Sequence, residues 1–358
     1  RNGGGLLSEA ISLTGLFIPN GPVVQVRDTI GRITEHADED PKVAWSGPLV
    51  VLVSRASASA SEIAAGALKN HNRAIIVGDR ETHGKGTVQA VFEIDRSGFL
   101  SSLKPKKGAA KVTIQKYYLP DGSSTQIKGV PSDIILPSFN EFLPIGESDL
   151  PHAMKWDTIA PAEWEYVREF SIEGPEITTP LVTYLRDRSN ERQGELEEFD
   201  YLKSNIEWFR KRQEQKEFSL NLELRREKRR ADNAFREKME ERFDSLTPLN
   251  FDAKEILLDL TIEQNEEHDA IVAEREREKA EAAAAAASEE TDAVAAVDTD
   301  ASEAEANEAE ANEAEEAEAD ESFDIHLRES LRIMADWITF DPKAAEKAKM
   351  AEAARAES

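Results

Sequence analysis

None of the 358 residues is cysteine, which excludes disulfides, thiolate metal sites and a cysteine nucleophile. That absence suits an envelope protein without establishing one. No run approaches the roughly 18 consecutive apolar residues of a membrane-spanning helix, so the sequence contains no such helix. Positive charge is also scarce: 44 Lys and Arg stand against 71 Asp and Glu, a formal charge of −27. That balance argues against a nucleic-acid partner. The excess is uneven, because Glu281 to Asp320 holds fifteen acidic residues and no Lys or Arg. Acidity is therefore mostly a property of one tract.

Several catalytic signatures are missing as well. The sequence has no G-x-S-x-G elbow, no HExxH, no phosphate-binding Walker loop and no GxGxxG opening a helix. The usual zinc, nucleotide and dinucleotide readings have no motif behind them, and neither a metal nor a cofactor is expected. The chain opens Arg-Asn-Gly-Gly-Gly without a basic and then apolar leader, so the expectation is a start inside a fold.

From residue 1 to about Pro144 the text reads as α/β. Leu6, Leu7, Ala10, Ile11, Leu13 and Thr14 recur at helical spacing. Pro48 to Ser54 and Ala74 to Gly78 are short apolar runs that fit strands covered on both faces. Lys111 to Leu119 reads as a further strand, closed by the turn Pro120-Asp121-Gly122. Another turn signal at Gly129-Val130-Pro131 precedes the apolar Ile134, Ile135 and Leu136.

Beyond about Ser148 the text becomes charge-dense and helical. The basic block Arg225 to Arg230 reads as a solvated helix face, with a nucleic-acid or anionic-surface patch as the alternative. Between Glu281 and Asp320 aromatics vanish and Glu-Ala-Glu-Ala-Asn repeats at 303 and 308. Such text cannot offset its ordering entropy, and a disordered linker is expected. Leu327, Leu331, Met334 and Ile338 then return at helical spacing, joined by Phe323 and Trp337, as in a terminal helix that docks back on the folded part.

Two short stretches carry candidate chemistry. In Ser57-Ala-Ser59-Ala-Ser61-Glu62, Ser59 with Glu62 has the spacing of a capping box opening a helix. A catalytic reading is compatible with it, since a hydroxyl at a helix N-terminus lies beside unsatisfied N–H groups and the positive end of the helix dipole. Lys85 sits between Gly84 and Gly86, with little cover from its sequence neighbours. An amine placed inside a fold gives up its proton more readily than one in water and becomes a usable base. The alternative is an ordinary surface lysine. Gln89, four residues on, could orient that amine or simply face out from a strand, and His83 is a candidate local contact to Lys85. The run Gly3-Gly4-Gly5 fits either a turn presenting N–H groups to an anion or a flexible connection.

The stretches RNGGGLLSEAISLTGLFIPNGPVVQVRD, GPLVVLVSRASASASEIAAGAL, RAIIVGDRETHGKGTVQ and TIQKYYLPDGSSTQIKGVPSDIILP, covering nearly all of 1–137, resemble the S41 family of serine proteases. These are the C-terminal processing peptidases, and the tail-specific protease branch is the nearest in likeness. The resemblance implies a serine endopeptidase with Ser59 as nucleophile, Lys85 as general base and Gln89 orienting it. It also implies an oxyanion hole from the backbone N–H groups of Ala60 and Gly5, with Gly4 the alternative for the second. The implied fold is an α/β protease core of the ClpP/crotonase-like kind, truncated on its N-terminal side, followed by a mostly α-helical C-terminal domain with a disordered acidic insertion. The expected division is core 1–145, helical domain 146–280, linker 281–320, and terminal helix and tail 321–358.

Implied partners are proteins with apolar C-terminal tails and a lipoprotein adaptor, in the bacterial periplasm or cell envelope. Membrane association is expected at most through a preceding segment. The loop from Asp79 to Gly84 is one residue longer than the family's usual form and has His83 where phenylalanine is common, and Asn70 stands where some members carry aspartate. The family's leading helical region, its PDZ domain and the first strands of its core are not in this sequence, so the chain is expected to be a fragment. The rival from another class is a non-catalytic scaffold on the same core. A crotonase-like acyl-CoA enzyme would share the sheet architecture without requiring the Ser-Lys pair.

Overall fold

The computed structural model describes residues 1–93, 108–164, 173–246 and 324–343. The predicted acidic linker, the part of the helical domain beyond residue 246 and the tail beyond residue 343 lie outside the described residues.

Two sheets organise the first half. Strands β1 (Gly21–Arg27), β2 (Ile33–Asp38), β5 (Thr87–Glu93) and β6 (Ala109–Tyr118) form a four-stranded sheet in the order β2-β1-β6-β5, all pairs antiparallel. Strands β3 (Val50–Val53), β4 (Ile75–Gly78) and the two-residue β7 (Ile134–Ile135) form a parallel sheet in the order β3-β4-β7. Helix α1 (Leu7–Gly15) precedes β1, and α2 (Ala60–Asn70) crosses from β3 to β4. The apolar runs predicted at 48–54, 74–78 and 111–119 supply β3, β4 and β6.

β4 explains why its sequence is apolar without a break. Side chains alternate across a strand, and both faces of β4 are covered. Ile76 enters a core with Ile63, Leu68, Val24 and Tyr117, while Ile75 and Val77 enter a second core with Leu136, Leu181, Leu185 and Trp337. All four β4 residues are buried. Each large side chain so removed from water contributes on the order of 2 kcal/mol.

The second core is closed by helices from the far end of the sequence. Helices α3 (Thr179–Glu195), α4 (Glu197–Glu214) and α5 (Leu222–Ser245) follow one another, and α6 (Ile325–Ile338) brings Ile333 and Trp337 to β4, both fully buried. Capping starts these helices where the sequence permits: the Thr178 hydroxyl accepts the Leu181 N–H, and the Asp324 carboxylate accepts those of His326 and Leu327. The Trp337 indole N–H, which would otherwise be an orphan in the core, donates to the Pro175 carbonyl at 2.8 Å.

Buried charge in this half is paired. Glu329, completely buried, meets Arg192 at 2.8 Å, and Arg192 also reaches Asp336 at 2.6 Å. Glu198 accepts Arg328 at 3.1 Å and Arg332 at 2.5 Å. Helices α3, α4 and α6 are thereby tied by one network of alternating sign.

Candidate active site

β3 ends in a tight turn that delivers Ser59 to the N-terminus of α2. Ser57 Oγ accepts the Ser54 N–H at 3.1 Å, and Ser54 Oγ accepts that of Ala56 at 3.2 Å, so the first of the clustered serines builds the turn together with Ser54. Ser59 itself has φ 58° and ψ −117°, a backbone state that costs a non-glycine residue on the order of 1–3 kcal/mol. Such strain persists only where the surroundings over-determine it.

What over-determines it is Glu62. Its carboxylate is completely buried and accepts four hydrogen bonds. Oε2 takes the Ser59 N–H at 2.8 Å and the Lys85 N–H at 3.0 Å; Oε1 takes the Thr82 hydroxyl at 2.6 Å and the Gly84 N–H at 2.7 Å. One carboxylate oxygen therefore joins the residue at the elbow to the residue between the glycines. Burial pushes the Glu62 carboxyl up to about 7, against the pull of its four donors.

The sequence read Ser59 and Glu62 as a local cap. Only the Glu62 half of that arrangement is made: the Ser59 hydroxyl makes no capping hydrogen bond, and the Glu62 N–H goes instead to the Ser59 carbonyl at 2.9 Å. The hydroxyl is left free of the helix.

The Lys85 main chain is held from its other side too. Its carbonyl accepts the Tyr117 hydroxyl, which also lies 3.3 Å from the Ser59 carbonyl, and the Thr125 hydroxyl at 2.9 Å. Burial, and then the charge of Glu62, push the Tyr117 phenol well above its ordinary range, which keeps it a donor. The flanking glycines have steric reasons. A Cβ on Gly84, at φ +90°, would stand 2.8 Å from the Ile127 carbonyl, and one on Gly86 would stand 2.7 Å from the Gln126 nitrogen. The facing loop is as tight, with Ile127 at φ 68° and its N–H on the Gly84 carbonyl at 2.7 Å. Gln126 accepts the Gly86 N–H at 2.8 Å and donates to Glu147 at 2.8 Å.

The side chains present a different picture from the backbone. Lys85 is partly buried, and its amine makes no hydrogen bond or ion pair with a described residue; neither does the Ser59 hydroxyl hydrogen-bond to one. Gln89 lies on β5 with its side chain exposed and without a hydrogen bond among the described residues. His83 faces Glu147, its Nδ1 4.0 Å from the carboxylate, and burial is the main cause lowering its pKa.

The glycine run lies over the elbow. Asn2 accepts the Ala58 N–H on its carbonyl at 3.0 Å and the Gly4 N–H on its side chain at 2.9 Å. A Cβ on Gly4 would fall 2.4 Å from the Ala58 carbonyl oxygen and 2.7 Å from the Ala60 nitrogen. With the Gly4 N–H committed to Asn2, those of Gly5 and Ala60 form no hydrogen bond to a described residue. Chemically, the arrangement offers a hydroxyl at a strained helix start, and, among the described residues, an uncommitted amine on a fixed backbone and two unspent N–H groups. Among the described residues no cluster of His, Asp and Glu could hold a metal ion.

Residues 1–136 match the family model described as peptidase family S41, and residues 141–269 match that of the C-terminal domain of tail specific protease. The chain belongs to peptidase family S41. Its fold is accordingly an S41 protease core followed by a helical domain. A tail-specific protease of Haemophilus influenzae is 38% identical over 68% of this chain and 34% of its own length. A carboxy-terminal-processing protease of Bartonella bacilliformis is 37% identical over 38% of this chain and 29% of its own. A solved photosystem II D1 C-terminal processing protease is 33% identical, covering 41% of this chain and 35% of its own, with a TM-score of 0.33. This S41 chain thus spans about a third of the length of the curated relatives it matches.

Glu62 and Tyr117 are the site residues that sequence reasoning missed. For Glu62 the signal was present but generic, a glutamate three residues after a serine. For Tyr117 there was none.

Proposed function

We propose that this chain carries the reacting groups of a serine endopeptidase. Ser59 Oγ attacks a peptide carbonyl and Lys85 Nζ takes its proton, then passes a proton to the leaving amine. The acyl group stays on Ser59 until water, deprotonated by the same amine, releases it. Ala60 and Gly5 donate their N–H groups to the oxyanion, and Gln89 orients the amine once it turns toward Lys85. The observation that carries this reading is Glu62 Oε2, which accepts the N–H groups of Ser59 and Lys85 together. Fixing two backbones to one atom has a purpose if their side chains must meet.

The substrates are polypeptides engaged through apolar C-terminal tails, in the bacterial periplasm or cell envelope, with a lipoprotein adaptor as a partner. The same reading divides the chain into a protease segment at 1–145, a helical domain at 146–280, a linker at 281–320 and a terminal helix and tail at 321–358.

A second reading, a non-catalytic scaffold, draws on the exposed Gln89 and on the absence of a hydrogen bond between Ser59 and Lys85 among the described residues. A serine-reactive peptide boronate or phosphonate separates the two. The protease reading expects labelling that Ser59→Ala abolishes and Lys85→Ala lowers at least ~1,000-fold. It also expects cleavage of an unfolded polypeptide with an apolar tail in preference to one with a charged tail. Labelling of the folded protein no higher than that of Ser59→Ala favours the scaffold.

A further inference from the structure

The connection between α4 and α5 is unlike any other apolar stretch among the described residues. Every residue from 216 to 227 is exposed. Phe218, Ser219, Leu220, Asn221, Leu222, Glu223 and Leu224 alternate apolar with polar, and the four apolar members are 69%, 94%, 59% and 54% exposed. Single exposed leucines need no explanation, but four large apolar side chains within seven residues at one turn do.

The charge around that turn is opposite to the charge of the chain. Residues 210–230 contain nine Lys and Arg and four Glu, within a chain of net −27. Arg210, Lys211 and Arg226 are ion-paired to glutamates of their own helices. Arg212, Lys216, Arg225, Lys228, Arg229 and Arg230 have no ion pair with a described residue. The cations flank the apolar residues on both sides, from the end of α4 and from the first turns of α5. Screening confines electrostatics to about 8–10 Å in physiological salt, so a surface meeting this turn responds to the charges nearest it, and nine of the thirteen charged residues at 210–230 are basic.

We propose that the α4–α5 turn is a docking tip for an anionic lipid bilayer surface. Phe218, Leu220, Leu222 and Leu224 enter the headgroup boundary while the arginines flanking them meet phosphate. The chemistry favours this occupant. Stems of Arg and Lys lie along an apolar surface while their heads reach a polar one. A nucleic acid would give the three leucines nothing to stack against. An acidic protein would need a shaped apolar pocket to cover four side chains that are each more than half exposed. None of the described helices is long and apolar enough to cross a membrane, so the contact is with the surface. The basic block that sequence reading placed on a solvated face thus acquires a role from its apolar neighbours.

The test is flotation of the full 358-residue chain with vesicles of phosphatidylglycerol and phosphatidylcholine in equal parts, against phosphatidylcholine alone. Expected is flotation with the anionic vesicles only, weakened by salt. Replacing Arg225, Arg229 and Arg230 by serine lowers partitioning on the order of 100-fold, at about fivefold per cation, and replacing the same three by lysine retains it. Leu220→Ser with Leu222→Ser lowers it at least ~10-fold. All of these side chains are exposed, so melting curves matching the wild type are expected and accompany each variant. Failure of the wild type to float at low salt overturns the proposal, as does flotation indifferent to the leucine substitutions. Binding to immobilised polyglutamate without flotation assigns the tip to an acidic protein instead and equally overturns it.

Discussion

The protease segment and the helical segment each bury a glutamate completely, and they satisfy it in opposite ways. Glu62 is surrounded by neutral donors, three backbone N–H groups and one hydroxyl. Glu329 is held by the guanidinium of Arg192, which has a further carboxylate in Asp336. Neutral donors fix a carboxylate without cancelling its charge, so burial still lifts Glu62 toward 7. Backbone donors also transmit position: through Glu62, the α2 start and the 82–85 loop share one anchor. The ion-paired network joins helices and places no reacting group. One glutamate sets a geometry, and the other holds a packing.

The largest effect should come from deleting the two carboxylates. Glu62→Ala leaves four donors without this acceptor, and among the described residues no other carboxylate is bonded to any of them. A loss of ~3–5 kcal/mol is expected. Glu329→Ala leaves Arg192 with Asp336 and Arg332 with Glu198, so ~1–3 kcal/mol is expected. Urea denaturation of both variants checks the order. A larger loss at Glu329 would mean that Arg192 cannot make do with Asp336, and the contrast would collapse.

The pH dependence of stability sharpens the same contrast. The unfolded chain gives up the Glu62 proton near the ordinary carboxylate value of 4.5, whereas the folded chain keeps it to about 7. Between those values the folded state binds more protons, so this group's contribution is fully present below about pH 4.5 and is lost as pH rises through 7. The full span amounts to ~3 kcal/mol. Glu62→Gln should remove that slope, measured as the change in unfolding free energy between pH 4.5 and 7.5. An unchanged slope would show that the four donors outweigh burial and that the carboxylate is already ionised at acid pH.

Much of this architecture was legible because local pattern and tertiary role coincide. The unbroken apolar text of β3 and β4 reports two covered faces, and Ser59 stands at a helix start because its neighbours are turn and helix formers. The rest is long-range. Nothing near Glu62 in sequence says that its carboxylate will face Thr82, Gly84 and Lys85 some twenty residues on, and S-x-x-E is satisfied equally by a simple cap. The glycines around Lys85 announce a turn but not that Gln126 and Ile127 press against it. Strand β2, polar and largely exposed, has no apolar period to give it away.

The glycine run offers a smaller and more local break. Gly4 and Gly3 are adjacent, yet a Cβ meets backbone 2.4 Å away at Gly4 and nothing within 4 Å at Gly3. Gly4→Ala, at φ +85°, should cost ~1–3 kcal/mol and lower serine-probe labelling at least ~100-fold by moving the segment that carries the Gly5 N–H. Gly3→Ala should leave both unchanged. Equal labelling by the two variants would separate the glycine run from the oxyanion site.

The smallest structural effect belongs to Gln89, and it is the one that tests how far the backbone-built site is complete. Its side chain is exposed on β5, so Gln89→Ala should alter stability by no more than ~0.5 kcal/mol. If Gln89 orients the Lys85 amine during reaction, the same variant lowers kcat at least ~10-fold with little change in KM, because the interaction exists only when the amine is engaged. Gln89→Glu, which keeps an acceptor of similar reach, restores part of that loss. An unchanged kcat in Gln89→Ala would leave Glu62, Tyr117 and Thr125 as the whole of the positioning apparatus, with Lys85 placed through its main chain alone.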